Sequence, residues 1–417
     1  LYYYNDVTGV GNHDGSGGQT GAVAIASGRF HQDQDDDVVI VHTGPPSTEF
    51  TWFQGGTPLS RDTDSELSPA GAAGGFAITA FNHTDGGVRE GFASTDSSTS
   101  SVIIARGVAT TGGDSEAANT FAALGASPIT GLAGRPQGIC TGDFDQDGDN
   151  DLAITYRVLG SSCGVQIISN NNNGTFNVNA PEVINATADN DPQDIVCGDF
   201  DHDGILDLAV VTTTNGRLHV LLGQGPRGSL DFVLDSSLDI GNSPRRIAVG
   251  HFDEDDDVMG NDGVDAFLDL AVTLETDNAV AILSGDGSGG FNNKVTIDVS
   301  TTTKQPFSIG VADMNDDGRH DLIVGSSNPG STGDDISVWA GDGDNGWTFI
   351  ESHSTGDGSV HKGIAVGNFA QLAARDFVVV NEEETFVSPF TSNVRAFDAA
   401  SGAETYAPDA ARSLGIS

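Results

Sequence analysis

The chain has 417 residues, with 60 Asp and Glu against 17 Lys and Arg and a net charge of −43 at neutral pH. A balance this acidic excludes nucleic acid, whose phosphates need a basic footprint, and docking on anionic lipid. The apolar runs fall far short of the roughly 20 residues a helix needs to cross a bilayer, which excludes insertion by a helix.

The chain opens on LYYYNDV (1–7), whose three tyrosines favour a strand. It has neither the basic segment nor the apolar stretch of a signal peptide, so a secreted protein would be present here in processed form. ASGRFHQDQDDDVVIV (26–41) and AITAFNHTDGGVREGFA (77–93) each place a turn between two short apolar runs. Four clearer units follow. Their first strands are PQGICTGDF (136–144), PQDIVCGDF (192–200), PRRIAVGHF (244–252) and PFSIGVADM (306–314). Each leads through an acidic loop into a second apolar run: DLAITY, DLAVVT, DLAVTL and DLIVGS. A third run ends at a glycine-rich turn, and a fourth returns to the next unit. The seventh unit begins near 361, with GNFAQLAARDFVVV (367–380) at its turn.

The position of Gly142 recurs at Gly198, Gly250, Ala312 and Gly367, at intervals of 56, 52, 62 and 55 residues, and earlier at Gly28. Short alternating runs with turn residues between them predict antiparallel strands throughout, and no stretch has helical periodicity. Seven repeats of four strands predict an all-β fold: one seven-bladed β-propeller of four-stranded antiparallel blades over residues 1–417. The first strands of the blades are expected near 22, 77, 136, 192, 244, 306 and 361.

The acidic loops carry the chemistry. GDFDQDGDNDLAI (142–154) holds Asp143, Asp145, Asp147, Asp149 and Asp151 within nine positions. Two like charges about 4 Å apart repel by about 4 kcal/mol at an effective dielectric of about 20. A hard cation that takes oxygen ligands offsets this repulsion. Asp143, Asp145 and Asp147 fall at loop positions 1, 3 and 5, Gly148 at the sharp turn, and Asp151 at position 9. The backbone carbonyl of Asp149, at position 7, completes a shell suited to calcium.

GDFDHDGILDLAV (198–210) repeats the set as Asp199, Asp201, Asp203, Ile205 (through its carbonyl) and Asp207. ADMNDDGRHDLIV (312–324) gives Asp313, Asn315, Asp317, Arg319 (again the carbonyl) and Asp321. The spacing therefore predicts three calcium sites. The fifth unit has His251 at position 1 and a longer loop, in which Asp253, Asp255, Asp257 and Asp269 offer a fourth cage. Arg29 and His31 in the first unit, and Asn368, Ala370 and Leu372 in the seventh, leave those turns without a site. The second unit has Asn82 and Asp85 without the spacing.

D-x-D/N-x-D-G-x-x-D-L set between two apolar strands resembles the FG-GAP/VCBS repeat of integrin α-subunit-type β-propellers. The resemblance spans the chain, although the FG and GAP signatures themselves are poorly kept. It implies calcium in the loop joining the first and second strands of a blade, with the matching acids as ligands, and first strands that line a central channel. Loops of this kind bind at about 10⁻⁴ to 10⁻³ M calcium, an extracellular level. The expected place is therefore extracellular, secreted or cell-surface.

Cys140 and Cys197 fall on neighbouring first strands and read as small buried hydrophobes; pairing of Cys140 with Cys163 or Cys197 stays open. Asn82, Asn173 and Asn185 begin glycosylation sequons. G-x-S-x-G, H-E-x-x-H and a phosphate-binding loop are absent. His202 and His320 read as solvated turn residues, and Trp52, Trp339 and Trp347 as core or ligand-facing aromatics. Three functions remain open. The first is a non-catalytic recognition or adhesion module for a glycan or protein. The second is a structural subunit that pairs with copies of itself. The third is a carbohydrate-active lyase or hydrolase working at the channel mouth. In the second, Leu1–Val7 pairs between subunits, because NVRAFDA and AETYAPDAARSL supply the outer strands of the seventh unit; the competing destination is closure of its own ring.

Overall fold

The computed structural model describes residues 2–4, 21–28, 36–43, 49–54, 60–61, 75–82, 90–108, 120–123, 127–171, 175–185, 191–253, 267–315, 317–327, 336–343, 346–353, 360–367, 376–383 and 391–398. Every element named among them is a strand. The strands form seven four-stranded antiparallel sheets; in six of them the order follows the chain outward from the first strand. Those first strands are Gly21–Gly28, Gly75–Asn82, Arg135–Gly142, Pro192–Gly198, Pro244–Gly250, Pro306–Ala312 and Val360–Gly367. Each packs against the first strands before and after it, and the first meets the seventh, so they close a ring around a central channel.

The seventh sheet settles the fate of the N-terminal strand. Its order is Val360–Gly367, Asp376–Glu383, Thr391–Asp398 and then Tyr2–Tyr4. Tyr2, Tyr3 and Tyr4 pair with Ala396, Arg395 and Val394. The segment therefore fills the outermost place of its own seventh blade and is not a surplus strand. AETYAPDAARSL lies outside the described residues.

The second strands show why the sequence reads as continuous apolar runs. Asp207–Thr212, Asp269–Leu274 and Asp321–Ser326 are buried at every position. Side chains alternate between the two faces of a strand, so one run serves two interfaces. Leu208 and Val210 pack toward the third blade, while Ala209 and Val211 pack toward the fifth. Leu322 and Val324 likewise face the fifth blade and Ile323 the seventh. Hydrophobic cores thus lie between neighbouring sheets. Each fully buried Val, Leu or Ile contributes about 1.5 to 3 kcal/mol. Trp339 is buried in the core between the fifth and sixth blades and Trp347 packs against it, so both serve the core.

The glycine at the end of the first strand makes room for the neighbouring blade. A Cβ on Gly142 would stand 2.4 Å from Leu206 Cδ1, and one on Gly198 2.7 Å from Leu268 Cδ1. No disulfide joins Cys140, Cys163 and Cys197. Cys140 sits in the core between the third and fourth blades, and Cys197 Sγ donates to the carbonyl of Thr141 at 3.2 Å.

Candidate metal centre

The acidic loops leave the end of each first strand, on one face of the ring. Backbone geometry shapes them before any ion is considered. Gly148, Gly204 and Gly318 have φ of 105°, 86° and 89°, the left-handed region that glycine enters without strain. The amide N–H of each donates to the first aspartate of its loop: Gly148 to Asp143 Oδ2 at 3.0 Å, Gly204 to Asp199 Oδ2 at 3.0 Å and Gly318 to Asp313 Oδ2 at 2.8 Å. The loop folds back so that side chains two to eight positions apart converge.

Two loops bring three carboxylates together. Oxygens of Asp143, Asp145 and Asp151 lie within 4.8 Å of one another, and so do those of Asp199, Asp201 and Asp207. At that separation each charged pair repels by about 3 kcal/mol at an effective dielectric of about 20. Asp143 Oδ1 and Asp199 Oδ1 are buried and have no hydrogen-bond partner. A buried carboxylate oxygen in that state is costly unless a cation faces it. The donor set is all oxygen, which suits a hard metal ion. These clusters can therefore hold one, and the buried orphan oxygens fit it.

Asp147 and Asp203 are exposed and stand outside the two groups. Their Oδ1 atoms accept the N–H of Asp149 at 2.9 Å and of Ile205 at 2.8 Å, which orients the position-7 carbonyls. In the third loop Asp317 does the same for Arg319 at 2.9 Å. There Asn315 replaces the middle acid, and its Nδ2 donates to Asp317 Oδ2 at 2.9 Å. Asp313, Asp317 and Asp321 do not form a three-acid group of the same tightness.

The fifth loop is built differently. His251 takes the first position, its N–H donating to His320 Nδ1 at 3.0 Å. His320 is thus half-buried in a contact between blades and is not the solvated turn residue the sequence suggested. His202 is exposed, with its ring 5.0 Å from that of Phe267. Asp253 is buried and accepts from Ser284 Oγ. Asp255 and Asp257 lie outside the described residues, as do Arg29, His31, Asp85, Asn173, Asn368, Ala370 and Leu372.

The closing aspartate has a role that the ligand spacing did not reveal. Asp151 Oδ2 accepts from Phe144 N at 3.2 Å and its Oδ1 from Asn170 N at 2.8 Å. Asp207 joins Phe200 N at 2.7 Å to Gly223 N at 2.8 Å. Asp269 joins Phe252 N at 2.7 Å to Gly285 N at 2.9 Å, and Asp321 joins Met314 N at 2.7 Å to Gly341 N at 3.2 Å. One carboxylate at the start of the second strand thus ties the loop after the first strand to the end of the third. The same position is Asp37 in the first sheet and Asp376 in the seventh, each paired with the last residue of the first strand. Those two units lack the other ligand residues, and that was the clue available in the sequence.

Burial drives the titration of these groups. It raises Asp151 and Asp207 to about 7 and Asp321 to about 6, against backbone N–H bonds that pull them down. Burial also raises Asp145 and Asp201, and the charges of the neighbouring loop aspartates add to the shift.

A family model described as FG-GAP-like repeat matches residues 143–210 and 264–324. No curated protein matches the chain. Among solved structures, it is similar to BBS1N in complex with ARL6DN at 11% identity and a TM-score of 0.54, covering 94% of this chain and 95% of that one. A protein from Lactobacillus plantarum is 11% identical with a TM-score of 0.50, covering 80% and 85%. The periplasmic gluconolactonase PpgL of Pseudomonas aeruginosa is 14% identical with a TM-score of 0.50, also covering 80% and 85%. At these identities the likeness concerns the fold alone. No helix among the described residues is long and apolar enough to cross a membrane. The ring of four-stranded sheets makes the chain a β-propeller, and its third to sixth blades carry the matches to the FG-GAP-like repeat.

Proposed function

We propose that this propeller is an extracellular recognition module stabilised by calcium and without catalytic activity of its own. The observation that carries the metal part of this reading is the pair of buried, unpartnered oxygens, Asp143 Oδ1 and Asp199 Oδ1, each in a cluster of three carboxylates. Calcium takes six to eight oxygens in a flexible shell, whereas magnesium holds its waters and demands a stricter geometry. Asp143, Asp145, Asp151 and the carbonyl of Asp149 would hold one ion. Asp199, Asp201, Asp207 and the carbonyl of Ile205 would hold a second. Asp313, Asn315, Asp317 and Asp321, with the carbonyl of Arg319, would hold a third. The ion neutralises the loops and fixes their shape. The ligand, a glycan or a protein, is then met by residues on a rigid scaffold.

Calcium titration of metal-free protein by calorimetry tests the metal part. At least two sites per chain, with dissociation constants of about 10⁻⁴ to 10⁻³ M or tighter, are expected. Fewer than two sites would overturn it. Screening the calcium-loaded protein against glycan and protein arrays tests recognition, and hydrolase or lyase turnover on any bound glycan would replace this reading with an enzymatic one.

A further inference from the structure

The face opposite the acidic loops carries a second, oppositely charged feature. Arg245, Arg246, Phe307 and Lys362 stand at the beginnings of three consecutive first strands. The guanidinium carbons of Arg245 and Arg246 lie 5.8 and 5.4 Å from the centroid of the Phe307 ring, and Lys362 Nζ lies 5.4 Å from it. Three cations thus converge on one half-buried ring in a chain with only 17 Lys and Arg.

A regular strand would not deliver this arrangement. Successive side chains point to opposite faces, so Arg245 and Arg246 should diverge. The ladder between the first and second strands of this blade shifts register between Pro244 and Ile247. The bulge lets both arginines turn to the same ring, the way bulges re-aim side chains at the rims of sites.

Among the described residues, the carboxylates of Glu275 and Asp194 lie beside the arginines and are already engaged. Glu275 Oε2 accepts from Arg245 Nε at 2.6 Å and lies 2.6 Å from its Nη2, while Glu275 Oε1 accepts from Ser327 Oγ at 2.7 Å. Asp194 lies in the field of Arg246, and its Oδ2 accepts from Ile247 N at 3.3 Å. Gln193 accepts from both arginines: from Arg245 Nη1 at Oε1, 3.3 Å away, and from Arg246 Nη1 at its carbonyl, 3.5 Å away. These contacts fix the guanidinium planes. An arginine has five N–H donors in a rigid fork that matches a carboxylate. Three of those of Arg245 are directed to Glu275 and Gln193, and two remain for a ligand.

We infer that this mouth of the channel binds the carboxylate of an acidic small molecule or saccharide, with Arg245, Arg246 and Lys362 as its cationic contacts and Phe307 as an apolar wall. The inference rests on the reading of the protein as a recognition module and gives that module its ligand class. It also separates two tasks by face: the acidic loops hold cations for stability, and the opposite mouth takes an anion.

The test is calorimetric titration of calcium-saturated, full-length protein with glucuronate, glucose and acetate at matched ionic strength. Glucuronate is expected to bind and glucose not to bind, with affinity falling as sodium chloride rises. Acetate binding as well as glucuronate assigns the site to free acids, and weaker acetate binding assigns it to acidic sugars; both support the carboxylate. The double variant Arg246→Gln with Lys362→Gln should lose at least tenfold in affinity while keeping its calcium sites and melting temperature. If loss of Arg246 beside Asp194 prevents folding, Lys362→Gln alone should still lose about threefold. No binding of either acid, or unchanged binding in a folded variant, overturns the site. A neutral glycan retained equally by wild type and double variant, with no glucuronate binding, overturns the site but leaves the recognition reading standing.

Discussion

The backbone carbonyl of Asp145 accepts a hydrogen bond from the N–H of Gly228 at 2.7 Å. Asp145 lies in the acidic loop of the third blade, and Gly228 in the turn between the third and fourth strands of the fourth. The contact repeats one blade on, where Gly289 N donates to the carbonyl of Phe200 at 3.0 Å, and Asp253 forms a bridge with Gly343 one blade further. Gln146 Nε2 also reaches the carbonyl of Gly204 at 2.8 Å, linking one acidic loop to the next. The loops of the third, fourth and fifth blades are therefore each braced by the next blade.

This bracing predicts where loss of the ion will be felt. Chelation should speed hydrogen exchange at Gly228 and Gly289, although neither residue is a ligand. With free calcium at about ten times the dissociation constant, each site adds about 1.4 kcal/mol to stability. A melting temperature unchanged after verified metal removal would contradict a stabilising ion.

Asp143→Asn and Asp199→Asn separate charge from structure. Each retains a side chain that can accept from the loop glycine but removes the orphan buried charge. In chelator the variants should melt at or above the wild-type temperature. In calcium they should melt below it and each lose one site. A variant equally destabilised with and without calcium would show that the carboxylate serves the fold alone.

The closing aspartate should behave in the opposite way. Asp269→Ala deprives Phe252 N and Gly285 N of their acceptor. Hydrogen bonds to charged groups contribute about 1.5 to 3 kcal/mol each, so a loss of about 3 kcal/mol or more is expected. The loss should be the same with and without calcium, measured by denaturant unfolding.

The raised carboxyls give the metal-free protein a definite pH dependence. Asp151 and Asp207 titrate at about 7 in the fold against an ordinary value of 3.8. Between these values the folded chain binds more protons than the unfolded one. Stability therefore falls as pH rises through the window and is lowest above about 7. Calcium needs the ionised ligands, so its stabilisation grows across the same range. Melting curves at about pH 5 and about pH 8 should show the metal-free protein less stable at the higher pH. Salt at about 0.5 M screens the chain's overall self-repulsion but leaves the buried effect in place. A flat profile in that salt would refute the assignment.

Deletion of residues 1–7 removes the outermost strand of the seventh blade. Because Tyr2–Tyr4 pairs with Val394–Ala396 of the same chain, the melting temperature of the monomer should fall. A truncated monomer of unchanged stability that has lost an assembly would point instead to pairing between subunits.

The sequence by itself determined the repeat, the strand order within the first six units and the turn glycines, because each depends on local spacing: a period of two in the strands and a positive φ at Gly148, Gly204 and Gly318. It also named Asp143, Asp145 and Asp151 as a set, since nine residues of loop suffice to bring them together. Tertiary structure decided the rest. The place of Tyr2–Tyr4 depends on a partner about 390 residues away in the chain, and local pattern cannot specify that pairing. The dual role of the closing aspartate needs the end of a third strand that the ligand spacing does not include. The convergence of Arg245, Arg246 and Lys362 on Phe307 joins three blades, and only the packing of consecutive first strands brings those distant positions onto one face.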